Sequence, residues 1–131
     1  MNFHLQSAAN ERLKERVQQL KRELLEVRSQ ALQLSTGAKT KQQECEALAH
    51  RLAQTIDDRM QLASTGADRA GLCNSLEELV RVGTDVTSFL RQYAERNVIQ
   101  RVLKRSKMDD DIRALHGRLT NIVQTADVRA Q

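Results

Sequence analysis

Three histidines, two cysteines and two aspartate runs are the residues of this chain whose side chains could do chemistry. His4, His50 and His116 stand far apart, and none lies in the helical spacing that puts two imidazoles on one zinc ion. Cys45 and His50 are five residues apart, which places them on different faces of a helix. Asp57-Asp58 and Asp109-Asp110-Asp111 could be drawn as ligands of a hard cation, but acids at helix ends are more simply solvated, and helix N-termini favour them. No glycine-rich loop is built to cradle a phosphate, and no nucleophile elbow occurs. The expectation is a protein that is not an enzyme and needs neither metal nor cofactor. Cys45 lies on an apolar stripe and reads as a small core residue, and Cys73 beside Leu72 reads as partly buried. Two cysteines make no disulfide framework, so a reduced, intracellular setting is expected.

Composition decides which elements could position such residues. The 131 residues hold no proline, five glycines and three aromatics, Phe3, Phe89 and Tyr93. Sheets need turn residues and β-branched or aromatic strands, and this chain is instead rich in strong helix formers. No segment is long and apolar enough to read as a membrane span, and Met1 to Gln6 lacks the pattern of a secretory leader.

Four apolar stripes run along the sequence. Leu13, Val17, Leu20, Leu24, Val27, Ala31 and Leu34 alternate spacings of four and three, as a heptad seam does. The pattern returns in Cys45, Ala49, Leu52 and Ile56, then from Leu72 to Tyr93, then from Ile112 to Ala126. Four matched amphipathic rods predict an all-α, antiparallel four-helix bundle forming a single domain over 1–131. The helices are expected near 8–35, 38–62, 69–95 and 108–128, with a short extra helix near 98–104 in the connector between the last two. Ser35-Thr36-Gly37-Ala38 and Ser64-Thr65-Gly66-Ala67 are near-identical breaks, in which glycine suits a left-handed helix stop. Ser106 followed by Asp109 resembles a capping box for the last helix. Gly83, in the middle of the third stripe, suggests packing below the best native density.

The net charge of +4 is unevenly spread. Residues 95–107 hold Arg96, Arg101, Lys104, Arg105 and Lys107 against Glu95 alone, while the rest of the chain is balanced. These five cations, with Lys39 and Lys41, form the candidate site for lipid headgroups or another anion. They could equally pair with Asp109, Asp110 and Asp111 just beyond. Lys14, Lys21 and Arg28 repeat every seven residues beside the first seam and read as solvated, or paired with Glu15, Glu23 and Glu26. No aromatic interleaves with the 95–107 cations, which argues against nucleic acid as a partner.

The order of these features resembles the N-terminal four-helix bundle of the mixed-lineage kinase domain-like pseudokinase family, and related HeLo-like bundles in fungal and plant signalling proteins. Cys45-x-x-Leu48-x-His50-Arg51 is similar to that family's Cys-x-x-Leu-x-x-Arg segment, and it follows a lysine-bearing junction, Lys39-x-Lys41. Ile99-Gln100-Arg101-Val102-Leu103 resembles its Ile-x-Arg-Phe-Leu brace, with Val102 where the aromatic usually stands. Ile112, Leu115, Leu119 and Ile122 fit its last helix, so the likeness covers about residues 38–128. The resemblance implies a cell-death or immune-signalling domain that binds anionic phospholipids, forms homo-oligomers and permeabilises the plasma membrane after starting in the cytoplasm. It also implies an attached kinase-like or sensor module, and a regulatory connector here comprising Val98, Ile99, Val102 and Leu103. Two rivals stand beside it: a helical adaptor without membrane activity, and a coiled coil dimerising through Leu13, Leu20, Val27 and Leu34.

Overall fold

A computed structural model of the chain describes residues 2–38, 41–63, 69–95 and 105–130. Four helices account for nearly all of them: α1 (Asn2–Thr36), α2 (Gln42–Ala63), α3 (Arg69–Glu95) and α4 (Arg105–Ala130). There is no strand among the described residues. The heptad stripes are the reason, because each gives one helix an apolar face that only another helix can cover. Leu20 and Leu24 of α1, Leu48, Leu52 and Ile56 of α2, Leu76, Leu79, Val82 and Val86 of α3, and Met108 and Leu119 of α4 meet in one buried cluster.

The helices do not pair simply in chain order. The broadest interface joins α1 to α3, and α1 also packs on α2. α4 lies against α3 and α2 and shares no comparable interface with α1. Contacts between α1 and α3 climb together along both helices. The Cys73 thiol reaches the Leu13 carbonyl, Arg16 meets Glu77, and Val27 meets Gly83. Between α3 and α4 they climb in opposite senses, since Asp85 meets Arg118 while Gln92 and Asp111 line the same groove.

Gly83 overturns one expectation. It is buried, and a β-carbon placed on it would stand 2.4 Å from Val27 Cγ1. The missing side chain is therefore not a gap in the seam: the Val27 side chain of α1 occupies the space that a β-carbon on α3 would take. Val27 is a β-branched residue with little freedom to swing away. The coiled-coil reading also fails for this state. Leu20 is fully buried, and Leu13, Val27 and Leu34 pack against the chain's own core.

Helix ends differ from the sequence expectations in four places. α1 starts at Asn2 rather than near residue 8. It stops through i→i+3 bonds, Gly37 N–H to Leu34 O at 3.1 Å and Ala38 N–H to Ser35 O at 3.3 Å. Gly37 is not left-handed. The left-handed residue is Lys41, at φ 52°, and its carbonyl accepts the first α2 bond from the Cys45 N–H at 2.9 Å. That kink delays α2 from residue 38 to Gln42. α4 is already helical at Arg105, so Ser106 lies inside its first turn and is not the capping residue. The second break at 64–67 and the connector helix at 98–104 lie outside the described residues.

Buried hydroxyls satisfy themselves locally. Ser35, Thr55 and Thr87 each donate at 2.8 Å to a carbonyl one turn back in their own helix.

Candidate functional site

Of the candidate anion site, the described side chains of Lys41 and Lys107 lie where α2 and α4 begin. Lys41 is placed there by its left-handed backbone, a conformation that lysine seldom adopts. Its ammonium group pairs with Asp109 on α4, and the side chain is only 14% exposed. Lys107, in the first turn of α4, is exposed. The backbone of Arg105 is helical. Lys39, Arg96, Arg101 and Lys104 lie outside the described residues, as do Val98, Ile99, Val102 and Leu103. The structure thus brings Lys41 and Asp109 together, and leaves Asp110 exposed beside Lys107.

The cations along α1 find partners other than those expected from sequence. Lys14 pairs with Glu11 at 3.5 Å, within its own helix. Arg28 holds Asp57 of α2 through two parallel bonds of 2.9 Å, a fork-to-carboxylate geometry. Asp57 is therefore a tie between helices, not a helix-end acid waiting for a metal. Arg16 meets Glu77 at 3.3 Å between α1 and α3.

A line of polar contacts between α2 and α4 was not legible from motifs. Arg51 Nη1 lies 2.9 Å from His116 Nδ1 and 3.2 Å from the His116 carbonyl, while its Nη2 donates to Thr120 Oγ1 at 2.5 Å. Arg59, 7% exposed, donates to the carbonyl of Ile122 at 3.1 Å and reaches that of Val123 at 3.5 Å. Burial and the neighbouring Arg51 charge both hold the His116 imidazole below its ordinary pKa. The signal that could have found this line is spacing: Arg51 and Arg59 are eight apart, about two helical turns, and so share one face of α2.

Neither thiol is set up for reaction. Cys45 and Cys73 are free and buried; Cys45 sits in the core as its stripe predicted, and Cys73 is more deeply buried than the partial burial expected of it. Burial, with Glu44 and Glu46 alongside, pushes the Cys45 thiol up to about 11 against a small opposing pull from Lys41. A thiol held protonated in this way is a poor nucleophile and a poor metal ligand. Among the described residues no group of three or more His, Cys, Asp or Glu side chains could hold a metal ion. Among them, too, no helix is long and apolar enough to cross a membrane. A shallow groove of about 330 Å³ between α3 and α4 is lined by Phe89, Leu115, Gln92 and Asp111 and crossed by the Asp85–Arg118 pair.

No family model, curated protein or solved structure matches this chain. The functional reading therefore rests on the residues themselves and on the motif resemblance drawn from them.

Proposed function

We propose that this chain is a non-catalytic helical bundle that binds anionic phospholipid surfaces through its α3–α4 connector and oligomerises there to permeabilise the membrane. In this reading successive helices alternate in direction, forming an antiparallel bundle, and the connector carries a short helix over 98–104. The opposed contacts of α3 and α4 support that arrangement. The protein starts in the cytoplasm and moves to the plasma membrane when an attached sensor or kinase-like module releases it, as the resemblance implies.

One observation carries the proposal: all of the excess charge lies in residues 95–107, from the last residue of α3 through the first turn of α4. Each lysine or arginine brought to an anionic bilayer contributes about 1 kcal/mol, so this cluster suffices for reversible surface binding. Lys41 joins it only when its pairing with Asp109 is broken. The test is dye release and co-sedimentation with phosphatidylserine-containing or neutral vesicles across a salt series. Release confined to anionic vesicles, weakening as salt rises, is the expected result. The double variant Lys104→Glu, Arg105→Glu should abolish binding, and unchanged binding would remove the cluster from the mechanism.

A second reading, an adaptor for a partner helix, is favoured by Leu25 and Leu62, which are 52% and 53% exposed, with Val123 at 38%. Binding through such side chains persists at high salt, so the same series separates the two.

A further inference from the structure

We propose that the Arg51–His116 contact is an acid-sensitive latch: it holds α4 on α2 while the imidazole is neutral, and protonation of that ring releases α4.

A guanidinium has N–H groups and no acceptor, and it keeps its charge at any physiological pH. Nδ1 of His116, 2.9 Å from Arg51 Nη1, must therefore present its lone pair, which places the ring proton on Nε2. A proton added at Nδ1 removes the acceptor and sets two positive charges at hydrogen-bond distance. Movement apart is the simplest relief.

The surroundings offer no compensation. Arg51 is the charged group that α2 brings to the ring, and on α4 itself the neighbour is the Thr120 hydroxyl, already taken by Arg51 and by the His116 carbonyl. On the α3 side, the carboxylates of Asp85 and Glu78 are met by Arg118, two residues further along α4. The imidazole is held below its ordinary pKa by burial and by Arg51. A released ring takes up its proton near pH 6.5, whereas the docked ring resists to lower pH. Docking is therefore complete above about pH 6.5 and is lost as pH falls through the docked value.

α4 is also the helix best placed to leave. It shares no substantial interface with α1, and beside the apolar packing of Met108, Ile112, Leu115, Leu119 and Ile122 it is tied by polar contacts from Lys41, just ahead of α2, and from Arg51 and Arg59 within it. Gly117, next to His116, touches nothing within 4 Å of where a β-carbon would be, so it weakens the helix without serving a close contact. The latch goes beyond the membrane reading and stands without it, because it concerns a contact inside the bundle.

The experiment is amide hydrogen exchange on the whole chain at pH 7 and pH 5, corrected for the intrinsic rate. Residues 105–124 should lose protection relative to α1 and α3, by about tenfold for each pH unit that docking holds the ring below its free value. In His116→Gln, whose side-chain oxygen still accepts from Arg51 and does not titrate, α4 should keep equal protection at both pH values. His50→Gln, at an exposed position, should leave the wild-type loss in place. An unchanged α4 at pH 5, the same loss in His116→Gln, or equal loss in all four helices would overturn the latch. Should His116→Gln not fold, the wild-type ring is followed by NMR. Titration well below pH 6.5 supports the proposal, and titration at 6.5 or above sinks it.

Discussion

A glycine in an apolar seam has two opposite meanings, and Val27 decides between them. Were Gly83 a void, a larger residue there would fill it and stabilise the protein. Because a β-carbon would stand 2.4 Å from Val27 Cγ1, Gly83→Ala must push α1 away from α3. We expect a loss of about 1–3 kcal/mol in urea denaturation, the usual cost of overfilling a packed core. Val27→Ala removes the colliding atom, so the double variant should recover part of that loss instead of adding a second one. Additive losses would mean that the collision is not with Val27. Stripe membership was readable at this position from sequence alone, but the direction of the effect was not. Periodicity names the face a residue occupies and says nothing of how near the opposing backbone comes.

At the scale of the helix, Gly117 tells the opposite story. It sits exposed in the middle of α4 with nothing within 4 Å of its missing β-carbon. Gly117→Ala should therefore raise stability by about 0.5–1 kcal/mol, the helix-propensity difference between the two residues, as read from the thermal midpoint. A fall in the midpoint would show that the glycine serves a contact made in another state. The four stripes made the existence and order of α1 to α4 legible, because burial against neighbours is what fixes a helix. Boundaries were less legible. Lys41 adopts a left-handed conformation that its residue type does not advertise, and this moved the start of α2. The capping pattern at Ser106 is genuine as a pattern, yet Arg105 is already helical, so the chain does not use it.

For the molecule as a whole, the charge count located the candidate site, while the pairing of its members needed coordinates. Asp109 was expected as a partner for the connector cations, and the structure gives it to Lys41, 68 positions earlier in the chain. No local pattern encodes such a distant pairing. The polar contacts named along this side of α4 share another property: the donors are Lys41, just ahead of α2, with Arg51 and Arg59 within it, and their acceptors all lie on α4. Ile112, Leu115, Leu119 and Ile122 offer similar shapes at successive turns, so greasy surfaces alone would tolerate α4 sliding by one turn, about 5.4 Å. The three cations work as a vernier. They meet their acceptors at one axial setting, and a one-turn slip would break all three together. Replacing Lys41, Arg51 and Arg59 with methionine should leave helix content by circular dichroism nearly unchanged, since polar ties of this kind add little net stability. The cost should fall on uniqueness: α4 amide signals in NMR should broaden or double as degenerate alignments become populated, while those of α1 and α3 stay single.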